Sequence, residues 1–122
     1  MIRLLVAATI SVWLAFPASG AGLDATAINN AEYRAKLPED RMDPAVVKLQ
    51  VLLDRARFSP GEIDGKFGEN AHKALNAFGE AQGLSAGKAL TPEIWQMLAE
   101  IGEGPIITDY NITKKDAEGP FL

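Results

Sequence analysis

Ile63-Asp64-Gly65-Lys66-Phe67-Gly68 is the stretch that decides the fold. An Asp-Gly pair is a turn signal with a mechanism: glycine takes positive φ without steric cost, and the aspartate side chain bonds backbone amides just beyond it. Here the turn sits between two large apolar side chains, Ile63 and Phe67, and follows a second group of turn residues, Ser59-Pro60-Gly61. A loop this short turns both apolar side chains inward only by wrapping over a helical core, so Ile63 and Phe67 are expected as anchors. The same pair can form the tip of a β-hairpin, but the flanking runs are too short for convincing strands. A calcium loop fails by count. With Gly65 at the sixth position of an EF-hand loop, Pro60 falls first and Ala71 twelfth, where a Glu ligand belongs.

Outward from this loop the pattern predicts three helices, near residues 44–57, 70–82 and 92–101, with no sheet in the core. Asp43-Pro44 starts the first, because aspartate is a good N-cap and proline fits the first helical position. Val46, Leu49, Leu53 and Ala56 follow at helical spacing with Leu52 on the same side, while Lys48, Asp54, Arg55 and Arg57 fall on the polar face. Asn70 is the expected N-cap of the second helix, whose buried stripe is Ala71, Ala74, Leu75 and Phe78 and whose end is Gly83. Thr91-Pro92 repeats the cap-plus-proline signal, and Ile94, Trp95, Leu98 and Ile101 carry the third helix to Gly102. The fold class is thus all-α, a small three-helix bundle with a wrapped Asp-Gly loop. At about 60 residues such a core buries only ~60% of the unfolded chain's surface, so its stability is modest.

The 122 residues divide into four parts: a signal peptide over 1–21, a lead-in segment over 22–42, the helical domain over 43–102 and a linker or tail over 103–122. Arg3 supplies a basic start, Leu4 to Phe16 is almost wholly apolar, and Pro17-Ala18-Ser19-Gly20-Ala21 offers small residues for cleavage after either Gly20 or Ala21. That apolar run is shorter than the ~20 residues a spanning helix needs, so export with cleavage is expected, without stable membrane insertion afterwards. Within the lead-in, a short helix over Ala31 to Leu37 is expected to end at Pro38. Ile106 to Thr113 has strand character without a partner, and Lys114 to Leu122 is polar. The formal charge of −4, which becomes −5 when Arg3 leaves with the leader, argues against nucleic-acid binding, which needs a basic footprint. The chain contains no cysteine and a single histidine, His72, so disulfides, thiolate zinc sites and cysteine nucleophiles are excluded within it, and a zinc site has too few ligands. An acidic exported chain without disulfides suits a bacterial periplasm. No cofactor is called for.

Val47-Lys48-Leu49-Gln50-Val51-Leu52-Leu53, the Asp64-Gly65-Lys66-Phe67-Gly68 loop, Ala74-Leu75 with Phe78, Gly83-Leu84, and Leu90-Thr91-Pro92 with Trp95 and Leu98 occur in one order and register. This arrangement resembles the peptidoglycan-binding-domain family, a three-helix module appended to bacterial cell-wall enzymes. The resemblance covers about half of the chain and departs from the family pattern twice. Asn70 stands where a Thr is usual, and Gly79 stands where a Gln normally follows the second-helix Phe. A glycine inside a helix costs ~1 kcal/mol relative to alanine. The Arg57-Phe58-Ser59-Pro60-Gly61 loop and the tail from Pro105 to Phe121 also resemble the N-terminal part of exported L,D-transpeptidases, in which a catalytic domain with a Cys nucleophile and a His follows.

The resemblance implies a non-catalytic, monomeric peptidoglycan-binding module; the alternative is the N-terminal fragment of an L,D-transpeptidase lacking its Cys-containing catalytic domain, and a third reading is a periplasmic partner of another protein. Arg55, Arg57, Lys66 and Asn70 are the candidate ligand-binding residues. Arginine pairs bidentately with carboxylates such as those of a stem peptide, although the same cations can simply form a solvated face. Gln50 is expected to hydrogen-bond the loop backbone from a buried position. Trp95 is expected in the core and His72 exposed on its helix. No nucleophile–base pair is present, and carboxylates such as Glu39 and Asp40 lie in loops.

Overall fold

The computed structural model describes residues 23–84 and 89–120. The expected leader at 1–21, with its cleavage positions, lies outside the described residues. Helices make up all the regular structure among the described residues: α1 (Ala25–Asn29), α2 (Pro44–Arg55), α3 (Glu69–Ala81), α4 (Pro92–Ile101) and α5 (Lys114–Glu118). The protein is thus all-α, as the cap and periodicity signals require.

α2 is the central element, with α1, α3 and α4 packed around it. Asp43 caps it, its carboxylate accepting from the Ala45 amide at 2.9 Å, and Pro44 takes the first turn, where a missing N–H costs nothing. Val46, Leu49 and Leu53 are wholly buried and meet Leu75 and Phe78 of α3 and Ile94 and Leu98 of α4 in one cluster. Thr91 Oγ accepts from the Ile94 amide at 3.2 Å to start α4. Both α2 and α3 end in the same hydrogen-bonded motif. After α3, Gly83 at φ +71° and Leu84 return amides to Glu80 and Gly79. After α2, Arg57 and Phe58 return theirs to Asp54 and Leu53 at 2.9 Å each. Here an arginine rather than a glycine holds the left-handed position, at φ +72°, a conformation costing a β-carbon-bearing residue ~1–2 kcal/mol.

Four expectations are corrected. Asn70 does not cap α3. The helix starts at Glu69, with Gly68 as an N-cap that has no side chain to offer, and Glu69 in the first turn compensates by facing the positive helix end. Ile63 is not an anchor and is 48% exposed. The volume beneath the turn is taken by the Gln50 amide, and only Phe67 turns in. The lead-in helix lies at Ala25–Asn29 rather than at 31–37, because Asp24 accepts from the Ala27 amide at 2.7 Å and starts it there. The tail, read as a linker, is not without regular structure: residues 106–113 form no strand, in keeping with the missing partner, but a capping box of Thr113 and Asp116 starts α5 after them.

The lead-in and the start of the tail meet on one side of α2. Lys48 donates to the carbonyls of Asn29 and Ala31 at 2.9 Å each and lies 5.8 Å over the Trp95 ring, so this polar-face lysine works as a tie. Ile28 is buried against the bundle. The Asn29 amide clamps the outgoing chain: its Oδ1 accepts from Ile106 and Ile107 at 2.8 and 3.0 Å, and its Nδ2 donates to the Ile107 carbonyl at 2.9 Å. Arg34 pairs with the carboxylate of Asp43, and Tyr33 donates to the Leu90 carbonyl. In Asn29→Ala, amide exchange at Ile106 and Ile107 is expected to rise roughly tenfold or more, about 1.4 kcal/mol of lost protection, while α3 keeps its rates. Unchanged exchange at both amides would show that the clamp does not hold the tail.

Candidate functional site

The Asp-Gly loop is built on Gln50. This side chain, 2% exposed, accepts from the Gly65 amide at 2.9 Å through Oε1 and donates through Nε2 to the Lys66 carbonyl and to Asp64 Oδ1, each at 3.1 Å. Asp64 Oδ1 also accepts from the Lys66 amide at 2.9 Å, closing the turn on itself. Gly65 stands at φ +74° with its carbonyl accepting from Asp43 at 3.0 Å, which couples the turn to the start of α2. A β-carbon at Gly65 would meet Val47 Cγ2 at 3.0 Å, so both the backbone angle and the space call for glycine. The Lys66 amide, then the Gln50 side chain, hold the Asp64 carboxyl below the usual carboxylate range.

Between this loop and the first turn of α3 runs an open groove of about 290 Å³, lined by Gln50, Glu62, Asp64, Lys66, Glu69 and Asn70 among others. Lys66 and Asn70 both line this groove. Arg55 and Arg57 do not line this groove. They lie with Asp54 and Ser59 along a separate depression of about 620 Å³. Arg55 also donates to the Pro105 carbonyl at 2.8 Å, so part of its hydrogen bonding is spent on the tail. The groove itself carries three carboxylates, Glu62, Asp64 and Glu69, against the ammonium of Lys66. Its charge favours donors and cations over the carboxylates that the four candidate residues were chosen to meet.

On the far side of the Gly68–Glu69 ridge lies a second cavity of about 590 Å³, lined by Glu39, Phe67, Glu69, His72, Lys73 and Asn76. His72 is half-buried rather than exposed. Its ring centroid is 4.0 Å from that of Phe67, and its Nε2 lies 3.2 Å from Glu39 Oε1. Lys73 and Glu69 pair at 2.8 Å one turn apart on α3, and the Lys73 ammonium holds the Glu69 carboxyl below its usual range. Among the described residues no cluster of three His, Cys, Asp or Glu side chains is placed to hold a metal ion.

The loop is seated on a buried glutamine, between two helices that converge on one apolar core. A family model described as a peptidoglycan binding domain matches residues 42–98, a span that contains α2, the loop, α3 and most of α4. Residues 42–98 are a module of the peptidoglycan binding domain family. Neither the curated proteins nor the solved structures yield a match. In this peptidoglycan-binding module the motif residues divide their work: Phe67 and Phe78 build the core, Gln50, Asp64 and Gly65 shape the loop, and the groove falls to Glu62, Lys66, Glu69 and Asn70. Sequence reasoning missed the acidic lining, because Glu62 and Glu69 carry no spacing signal. It also missed the second cavity, because the lead-in segment brings Glu39 to His72 across 33 residues.

Proposed function

We propose that this chain is a non-catalytic peptidoglycan-binding protein, exported by a bacterium to its periplasm, with a ligand surface that includes Arg55, Arg57, Lys66 and Asn70. The family match of residues 42–98 carries the reading. Absence of catalysis is read from the sequence: an L,D-transpeptidase needs a Cys thiolate with a nearby His, and this chain has no Cys. Export is read from the Arg3, Leu4–Phe16 and Ala18–Ala21 pattern. No described helix is long and apolar enough to cross a membrane. A monomer that binds neither nucleic acid nor a cofactor completes the reading.

The test is co-sedimentation with purified sacculi. Wild type is expected in the pellet, and the triple variant Arg55→Ala, Arg57→Ala, Lys66→Ala is expected to bind roughly tenfold more weakly, the scale of one or two lost charge-assisted contacts. A triple variant that sediments like wild type rejects the surface but keeps the function. Wild type that stays in the supernatant rejects the function. The likeness of the 57–61 loop and the 105–121 tail to L,D-transpeptidase leaders favours a second reading, in which this segment is the N-terminal part of such an enzyme. Reading the DNA downstream of the last codon separates the two.

A further inference from the structure

α2 and α3 close in the same hydrogen-bonded motif, yet they fill its left-handed position differently: Gly83 stands there after α3 at φ +71° and Arg57 after α2 at φ +72°. Glycine takes that angle freely and a residue with a β-carbon does not, so the fold on its own account favours glycine at both places. Arg57 is exposed and its guanidinium has no ion-pair partner among the described residues, so no charge contact within the molecule offsets the strain. Backbone strain kept in this way clusters at binding sites.

The neighbours of Arg57 define the chemistry. With Asp54, Arg55 and Ser59 it lines the open depression of about 620 Å³, and all four residues are exposed. The Pro105 carbonyl accepts from Arg55 Nη2 at 2.8 Å, which orders one of the two guanidinium forks before any ligand arrives. Asp54 pairs with neither arginine. Two guanidinium charges against one carboxylate leave the depression with one positive charge, which matches a monoanion. The planar fork of arginine fits the two oxygens of a carboxylate. Asp54 adds an acceptor for the amide N–H that an acylated amino acid carries beside its carboxylate.

We propose that this depression binds the free carboxylate of an acylated amino acid at the end of a peptide, and that Arg57 holds its left-handed place for that ligand and not for the fold. Resting on the peptidoglycan-binding reading, the source of the carboxylate is the end of a stem peptide.

The test has two arms. In the first, the purified protein is titrated with Nα-acetyl-alanine and with its C-terminal amide, and the arginine Nε–H signals are followed by NMR. Saturable shifts at Arg55 and Arg57 are expected with the acid, on the order of millimolar affinity, and none with the amide. Arg57→Gly and Arg57→Ala are each expected to weaken the acid at least tenfold. Arg57→Gly alone is expected to raise the melting temperature, by about 4–8 °C, because glycine relieves the backbone and alanine does not. Absence of shifts, equal shifts with the amide or with inorganic phosphate, or a glycine variant that binds the acid like wild type overturns the site. A glycine variant that melts no higher than the alanine variant overturns the role given to the strain. In the second arm, sacculi whose carboxylates have been amidated are expected to retain less protein than untreated sacculi. Equal retention overturns the stem-peptide source. Acid binding without any sacculus binding keeps the carboxylate site and rejects the peptidoglycan reading instead.

Discussion

Replacing Gln50 with leucine is expected to lower stability by about 2–3 kcal/mol, read as a fall of roughly 10–20 °C in melting temperature. Leucine fills nearly the same volume, so the loss comes from polar groups and not from a cavity. The buried Gly65 amide loses its acceptor, and the Lys66 carbonyl and Asp64 lose a donor. Because Gln50 also holds the Asp64 carboxyl down, its removal is expected to raise that carboxyl toward its ordinary value, which an NMR titration reads directly. The sign follows from linkage. A carboxyl depressed in the folded state adds stability above its unfolded pKa and loses it as pH falls through the folded one, so the loop of the native protein weakens on the acid side. Gln50→Glu gives a different profile. At neutral pH the introduced carboxylate lies against Asp64 and repels it, and protonation at acid pH restores both a donor and an acceptor. A leucine variant with native melting temperature would show that the loop is held by its own turn bonds alone.

Phe78→Ala carries the largest expected loss, about 3–5 kcal/mol. Phe78 is wholly buried and meets the Phe58 ring edge-to-face, with centroids 5.5 Å apart and planes at 88°, a geometry adding ~0.5–1.5 kcal/mol beyond area alone. A small domain has roughly 5–15 kcal/mol in total, so the variant is expected to sit near the edge of folding at 37 °C. Urea denaturation should show a midpoint shifted far down with an unchanged slope. A loss below about 1 kcal/mol would mean that the core recloses around the missing ring. Phe58 lies outside the helices, so the same variant is expected to loosen the α2 end motif and with it Arg57.

The local sequence determined α2 and α4 and the body of α3. Asp43-Pro44 and Thr91-Pro92 each combine a side-chain acceptor for orphan amides with a residue whose fixed φ suits the first turn, a local signal that marks both starts. Leu49, Leu53, Leu75, Phe78 and Leu98 repeat at helical spacing, which is enough to name them as core. Gln50 was legible through the family resemblance, since a buried amide at that position of the pattern has to be satisfied by the loop backbone. What the sequence misjudged were positions where one local signal competes with a long-range partner. Ile63 reads as an anchor by its apolarity, but Gln50, 13 residues earlier, already occupies the space beneath the turn. Asn70 reads as a cap by its type, but Gly65 and Phe67 seat the chain so that helical geometry starts at Glu69. The ends and the sites belong wholly to tertiary structure. Asn29 meets Ile107 across 78 residues and His72 meets Glu39 across 33. Such pairs have no period and no local propensity; they form only once α2 has gathered the other helices, so burial and charge at the groove and the cavity are properties of the assembled fold.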